Sequence, residues 1–292
     1  MPDRIDSWTG SPGAGFVSDE AGSHPAPWTL PSRPLHGDHG WVFRELGQML
    51  LLFGETVKAL PLAWRQRRKV AEQLFEIGNA SLFMACTLSL FIGGALALQA
   101  GPLLTQRGLG SLLGGLVGES LTKELGPVMM AILLAGRIGS AMAAELGSMR
   151  VYQEIDALRT LNIDPIRFLV LPRVLALAVS LPCLVIFAIL VGSAGGALVA
   201  HFNHDVGVPA STFFNNLRST LELRDLLHGL LKTFLFAVMI GVVCCNQGLQ
   251  TLGGPRGIGR SVTKAVVNSI VFILVLDYVV TRLLLPLARY HG

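Results

Sequence analysis

Long apolar segments separated by short polar ones occupy most of the chain after residue 80. A helix needs about 20 mostly apolar residues to cross a bilayer, and a soluble core helix rarely stays apolar for that length. The pattern predicts five membrane-spanning helices, at about residues 82–100, 112–146, 168–200, 226–248 and 265–287. The fold class that follows is an all-α integral membrane protein.

A different pattern precedes the first span. Residues 1–40 are rich in Pro, Gly, Ser, Asp and His and predict a disordered tail. Residues 43–62 then repeat apolar side chains at helical spacing, which predicts an amphipathic helix lying along the membrane surface. The apolar positions are Phe43, Leu46, Leu50, Phe53, Val57 and Leu60.

Basic residues predict the orientation of the spans, because cytoplasmic segments collect Lys and Arg. The segments assigned to the cytoplasm hold Arg65, Arg67, Arg68, Lys69, Arg150, Arg159, Arg167, Arg256, Arg260 and Lys264. The segments assigned to the outside hold only Arg107, Arg218, Arg224 and Arg289. We therefore expect a cytoplasmic N-terminus and a C-terminus on the opposite side.

Composition supports the membrane assignment and excludes several kinds of chemistry. The chain is 51% hydrophobic and 14% charged, whereas soluble domains are about 25% charged. No GxxxxGK[ST], HExxH or GxSxG motif is present, so no ATP hydrolysis through a phosphate loop is predicted. The pair His201 and His204 lacks a third ligand, and no metal site is predicted. The net charge of +4 does not require a nucleic-acid partner.

The stretch Leu121–Pro165 joins a charged span to a polar, amphipathic segment. A membrane helix carries charges only where they face protein, water or a ligand. The embedded charges here are Lys123, Glu124, Arg137 and Glu145. Helix packing or snorkelling is the favoured interpretation for Arg137. Residues 149–161 then predict a cytoplasmic surface helix that could dock on a soluble protein, with Val151, Ile155, Leu158 and Leu161 as its apolar positions.

Two later spans carry charges of opposite sign at comparable depth, Lys232 and Asp277. Each charge costs about 2.5–3.5 kcal/mol at a helix centre, so its retention implies compensation. A structural salt bridge between helices and a polar lining for a cavity that accepts a charged headgroup are equally compatible with the sequence.

A series of motifs in fixed order resembles the MlaE family of ABC-transporter permeases, over about residues 43–287. The residues that carry the resemblance are KELGP (Lys123–Pro127), AGRIGSAMAAELGSMR (Ala135–Arg150), EIDAL (Glu154–Leu158), NIDP (Asn162–Pro165), LPR (Leu171–Arg173), LLKTFLFA (Leu230–Ala237) and LDYV (Leu276–Val279). The resemblance makes residues 41–292 a single permease domain.

The resemblance implies a subunit of an ATP-driven phospholipid transporter in the inner membrane of a Gram-negative-type bacterium or a plastid relative. Such a transporter moves lipid between the membrane and a periplasmic MCE carrier and maintains outer-membrane lipid asymmetry. The implied partners are a second copy of the chain, a cytoplasmic ATPase dimer, an MCE-domain hexamer, phospholipid and, in some systems, a STAS-domain protein. ATP and Mg would be bound by the ATPase, and no cofactor is expected in this chain.

The resemblance also assigns residues to two sites. The helix at 149–161 would be the coupling helix, and the residues expected to act on the ATPase are Glu145, Arg150, Glu154, Asp156, Leu158 and Arg159. The residues expected to line the lipid cavity are Lys123, Glu124, Lys232 and Asp277. The family often has Arg where this chain has Lys123, so charge is kept but bidentate phosphate binding is lost. A lipid phosphate is expected to contact Lys123 or Lys232.

Two other functions compete with this interpretation. An ion-coupled secondary transporter of a lipophilic substrate could use Asp277 or Glu124 as a proton carrier. Such carriers often show internal repeats, and no convincing repeat is present here. A membrane scaffold that only anchors the ATPase and the lipid carrier is the other alternative.

Overall fold

The computed structural model describes the backbone of residues 41–59 and 67–289 and the side chains of residues 47–59 and 67–283. The predicted tail at 1–40 lies outside the described residues. Within them every regular element is helical: α1 Trp41–Ala59, α2 Arg67–Gln106, α3 Leu113–Ser120, α4 Gly126–Leu134, α5 Ser140–Val151, α6 Glu154–Thr160, α7 Leu171–Phe202, α8 Ala210–Thr220, α9 Leu223–Leu249 and α10 Gly254–Arg289.

Five helical stretches in the described residues are long and apolar enough to cross a membrane, which confirms the predicted number and order of spans. They are Arg67–Gln106, Gly110–Val151, Ile166–Phe202, Leu223–Leu249 and Gly254–Leu283. Each is longer than the apolar run that predicted it, because the helices continue into polar residues at their ends. The basic residues 67–69, for example, form the first turn of α2.

The second span is not one regular α-helix. Two π-helical turns, Leu121–Leu125 and Ala135–Gly139, separate α3, α4 and α5. Such turns are rare and frequently occur at functional sites. Gly126 makes the first one possible, because its N–H bonds to the carbonyl of Leu121 and a Cβ at Gly126 would collide with that oxygen. The charged pair Lys123 and Glu124 lies within this turn.

Small residues let the helices approach backbone to backbone. A Cβ at Gly93 of α2 would collide with the Gly192 carbonyl of α7, and a Cβ at Gly195 of α7 would collide with the Leu90 carbonyl of α2. α2 and α7 therefore pack against each other at these glycines.

The N-terminal helix is present, and residues 60–62 of its predicted range lie outside the described residues. Met49 and Leu52 are buried against the bundle, and Gln250 donates a 2.7 Å hydrogen bond to Gln48. Leu50 and Val57 are exposed, as a membrane-surface helix requires of its apolar face. Burial raises the pKa of the Glu55 carboxyl above its ordinary value, and the nearby Asp164 carboxylate adds to the shift.

The segment between the third and fourth spans, which holds Arg218 and was assigned to the outside, contains a helix, α8. Phe213 of α8 is fully buried, and a Cβ at Gly114 of α3 would collide with its carbonyl. Asn216 accepts a 2.7 Å hydrogen bond from the Gly115 backbone N–H. A polar segment is therefore anchored to the second span by one aromatic side chain and one amide. We call this end of the bundle the α8 end and the opposite end, which carries α6, the α6 end.

Arg137 packs between helices, in agreement with its favoured interpretation. Its guanidinium donates to the Ala80 carbonyl of α2 and lies 3.4 Å from the sulfur of Met84. The charge is held by α2 and is separate from the other buried charges of the bundle.

Candidate functional site

Lys232 of α9 is brought to the first π turn by a glycine one turn earlier on the same face. A Cβ at Gly229 would collide with the Thr122 carbonyl, so α9 lies directly on the backbone of the turn. Residues three apart on a helix share a face, so Lys232 points to the same turn.

The Lys232 ammonium, on the fourth span, lies among four oxygens from two other spans, the second and the fifth. Nζ is 2.7 Å from Glu124 Oε2, 2.8 Å from Thr281 Oγ1 and 3.3 Å from the Lys123 carbonyl, and it donates to all three. Nζ is also 2.6 Å from Asp277 Oδ1. An ammonium has only three N–H donors, so the fourth oxygen is held by charge. Asp277 Oδ1 accordingly has no well-oriented hydrogen bond.

Thr281 completes this group, which we call the Lys232 cluster: Lys232, Glu124, Asp277 and Thr281. The Thr281 hydroxyl accepts from Lys232 and donates to Glu124 Oε1 at 3.2 Å. Asp277 and Thr281 are four residues apart on α10 and so lie on one face. The cluster therefore ties the second, fourth and fifth spans together through polar atoms.

The members of the Lys232 cluster differ in exposure. The side chain of Lys232 is 4% exposed, that of Asp277 22% and that of Glu124 44%. The cation is thus inside the bundle, and the Glu124 carboxylate is the charge presented at its surface.

Lys123 belongs to a second group, although it neighbours Glu124 in sequence. Its ammonium lies 2.7 Å from Glu119 Oε1 and 3.0 Å from Asp225 Oδ1. Only its backbone carbonyl contacts Lys232. We call Lys123, Glu119 and Asp225 the Lys123 cluster.

The segment predicted as one surface helix at 149–161 is broken in the structure. α5 ends at Val151, Gln153 adopts a left-handed backbone with φ of 62°, and α6 begins at Glu154. Ile155 is fully buried, whereas Leu161 is exposed. The break turns the chain away from the axis of α5.

One ion pair joins α6 to the span that precedes it, and a second lies within α6. Asp156 Oδ1 accepts from Arg150 Nη1 at 2.7 Å and from Arg159 Nη1 at 3.1 Å. Nearby, Glu145 Oε2 is 2.9 Å from Arg173 Nη2 of α7. α6 is therefore held to α5 by charge as well as by Ile155.

Comparisons with known proteins identify the family. The family model Permease MlaE matches residues 70–283. The chain belongs to the MlaE permease family. A probable ABC transporter permease protein of Rickettsia bellii is 38% identical over 214 residues, 73% of this chain and 82% of the relative. A probable ABC transporter permease protein of Synechocystis is 35% identical over 242 residues, 83% of this chain and 91% of the relative.

A plant relative is also similar. The chloroplastic protein TRIGALACTOSYLDIACYLGLYCEROL 1 of Arabidopsis thaliana is 36% identical over 214 residues, 73% of this chain and 61% of the relative. The chain is therefore a multi-pass, membrane-embedded permease subunit of an ABC transporter, and ATP hydrolysis belongs to a separate ATPase.

The permease structure brings together three of the four residues predicted to line the lipid site, namely Glu124, Lys232 and Asp277. It directs the Lys123 side chain elsewhere. The salt bridge between Lys232 and Asp277, one of two interpretations left open by the sequence, is present. A role for these residues in lipid binding stays a prediction, and so does phosphate contact with either lysine.

Three residues of the two clusters were missed by sequence reasoning. Thr281 lies four residues after Asp277 and Glu119 four residues before Lys123, so helical spacing could have found both. Asp225 offered no such signal, because it meets Lys123 only through the packing of α9 on the second span.

Of the six residues expected to act on the ATPase, Arg150, Asp156 and Arg159 form one ion-paired group in the permease. Glu145 is paired with Arg173, Glu154 is exposed and Leu158 is half-buried. Their contact with an ATPase stays a prediction.

Proposed function

We propose that the protein is the permease subunit of an ATP-driven phospholipid transporter. It would move lipid between the inner membrane and a periplasmic MCE carrier and so maintain outer-membrane lipid asymmetry. Family membership supports the transporter class, and the plant relative bears the name of a glycerolipid.

The observation that carries the proposal is the Lys232 cluster. Three charged groups are retained between membrane spans, where each is costly to insert. A salt bridge with only a structural role does not need an accessible charged group, whereas the Glu124 carboxylate lies at the surface of the bundle. The Glu124 carboxylate is held by Lys232 on its inner side and is accessible on its outer side. Such a group can bind a polar headgroup while the acyl chains of the lipid stay in apolar surroundings.

The proposed assembly has two copies of this chain, an ATPase dimer at the α6 end and an MCE-domain hexamer at the α8 end, with a STAS-domain protein as an optional further subunit. The basic residues favour a cytoplasmic N-terminus, which would put α6 in the cytoplasm and the C-terminus in the periplasm. ATP and Mg²⁺ would bind the ATPase.

α6 is proposed to couple the two activities. Its ion pair between Asp156 and Arg150 connects it to α5, the last part of the span that carries Glu124. ATP binding in the partner would bias α6 between two positions, and the spans would open or close a lipid cavity in response. Such coupling requires that the ATPase bind one state of the permease better than the other.

The test is purification of the tagged protein in mild detergent, followed by mass spectrometry of co-eluting proteins and lipids. An ATPase, an MCE-domain protein and bound phospholipid are expected. Isolation of a lone protein, under conditions that preserve other ABC complexes of the same cells, would contradict the proposal and favour an ion-coupled carrier. An intact complex without ATP-dependent lipid movement would favour a scaffold.

A further inference from the structure

The buried lysine of the Lys232 cluster has no donor left for a ligand. Its three N–H groups go to Glu124, Thr281 and the Lys123 carbonyl, and Asp277 supplies a second carboxylate. A phosphate could reach this ammonium only by opening a buried ion pair, and breaking such pairs is strongly unfavourable.

The Lys123 ammonium is also occupied by carboxylates. Glu119 and Asp225 both lie within ion-pair distance of it. Neither lysine therefore presents a free cation to an approaching headgroup.

The two clusters together carry an excess of negative charge. Two lysines face four carboxylates, namely Glu119, Glu124, Asp225 and Asp277, so the carboxylates of the clusters outnumber their ammonium groups by two. The clusters are adjacent, because the Lys123 backbone contacts Lys232. In surroundings of low dielectric constant this excess repels an anionic headgroup and attracts a cation.

The group that can meet a headgroup is the Glu124 carboxylate. Its two oxygens each have one partner, Thr281 for Oε1 and Lys232 for Oε2. An ionised carboxylate offers about four lone-pair sites, so acceptor positions remain open on its exposed side. A primary ammonium, with three N–H donors and a positive charge, fits these positions.

One cation of α10 lies outside both clusters. Arg282 follows Thr281 on α10, is exposed and has no ion-pair partner among the described residues. A zwitterionic headgroup could place its ammonium at Glu124 while both lysine pairs stay closed.

We propose that Glu124 selects phospholipids whose headgroup carries a primary ammonium over anionic phospholipids that lack one. This inference rests on the proposed function and names the lipid class that the site prefers. The preference comes from charge and from N–H donors, so phosphatidylcholine, which has the charge without the donors, falls between phosphatidylethanolamine and phosphatidylglycerol.

In the test, the full-length protein, with any ATPase that co-purifies, is incubated in detergent with an equimolar mixture of the three lipids. All three lipids carry identical acyl chains. Retained lipids are then quantified by mass spectrometry. One partly exposed ion pair predicts a preference for phosphatidylethanolamine over phosphatidylglycerol of about fivefold. Glu124→Gln keeps an amide oxygen for Lys232 and removes the charge, and it should bring the ratio close to one.

Asp205→Asn is the matched control. Asp205 is exposed in the turn before α8, so this change removes a carboxylate at the same end of the bundle without touching either cluster. It should leave the ratio unchanged.

A ratio of one or less in the unmutated protein overturns the inference, and this result does not depend on how any variant folds. A ratio that survives Glu124→Gln unchanged, in a variant that melts at the unmutated temperature, also overturns it. Lipid retained without preference leaves the proposed transport function in place. Failure to retain or move any phospholipid overturns both.

Discussion

At the scale of the residue, the structure depends on one buried ammonium that holds two carboxylates and a hydroxyl. Lys232 is nearly inaccessible, whereas its partners reach the bundle surface. This ammonium contributes to stability mainly because it compensates the negative charge of its two carboxylate partners. Loss of the cation would leave Glu124 and Asp277 facing each other in a region of low dielectric constant.

We predict that Lys232→Met lowers the free energy of unfolding by about 3 kcal/mol, because removal of one member of a buried pair leaves uncompensated charge. Thermal unfolding of the purified protein in detergent measures the loss. The triple variant Lys232→Met/Glu124→Gln/Asp277→Asn removes all three charges and should regain part of the stability. A triple variant no more stable than the single one would contradict this electrostatic account.

The sequence could predict part of this site. Lys232 and Asp277 fall at matching depth in two spans, and that alone made a salt bridge one of two possibilities. Adjacent residues of a helix do not face each other, so helical spacing alone could have predicted that the side chains of Lys123 and Glu124 diverge. The π turn itself could not be foreseen. An i to i+5 turn changes the direction of neighbouring side chains, and nothing in the apolar pattern marks it.

At the scale of the element, glycines set how closely the spans approach. α2 and α7 meet backbone to backbone at Gly93, where a Cβ would collide with the Gly192 carbonyl. Gly78 lies on the same helix, α2, with nothing within 4 Å of the position of its Cβ. The two glycines separate the effect of packing from that of helix propensity.

We predict that Gly93→Ala lowers the free energy of unfolding by about 1–3 kcal/mol, because α2 and α7 must move apart. Gly78→Ala should be neutral or stabilise by up to about 1 kcal/mol, since Ala is the better helix former. Thermal unfolding of the two variants, measured side by side, checks both values. Equal effects would contradict the close contact between α2 and α7.

The ion pairs of α6 support a prediction about coupling. Asp156→Asn removes the charge that Arg150 and Arg159 share, and partly exposed pairs contribute about 0–1 kcal/mol each. We expect little loss of stability but a reduced ATPase activity that depends on transported lipid, because α6 would lose its ionic link to α5.

Glu72→Gln is the control for this prediction, since it breaks the exposed pair between Arg68 and Glu72 on α2 and leaves the ion pairs of Asp156 intact. Its stability and lipid-dependent ATPase rate should match those of the unmutated complex. An Asp156→Asn complex with an unmutated coupled rate would show that the charge group on α6 has no part in coupling.

The elements were predictable to different degrees. Five spans follow from hydropathy alone, but their ends do not, since polar turns such as the one at Arg67 continue a helix that apolar residues began. The helix α8 was not predicted, because its position depends on one buried side chain, that of Phe213, in an otherwise polar segment. The break at Gln153 could not be predicted, because a left-handed backbone at a residue other than glycine leaves no signal in the sequence.

At the scale of the whole molecule, the chain places its polar chemistry at two separate levels. The Lys232 and Lys123 clusters lie toward the α8 end, and the ion pairs of Asp156 lie at the α6 end. The second span connects the two levels, since it carries Glu124 and ends at the turn that leads into α6. This arrangement is what a permease needs if a soluble ATPase is to act on a lipid site within the membrane.

The most direct measurement is the transfer of a fluorescent phospholipid between membrane and carrier, in liposomes that contain the permease with its ATPase and lipid carrier. We predict movement that requires ATP hydrolysis, stops with Lys232→Met and persists with Asp205→Asn. Liposomes in which the complex hydrolyses ATP but moves no more lipid than protein-free liposomes, or moves it equally without ATP, would contradict the central claim.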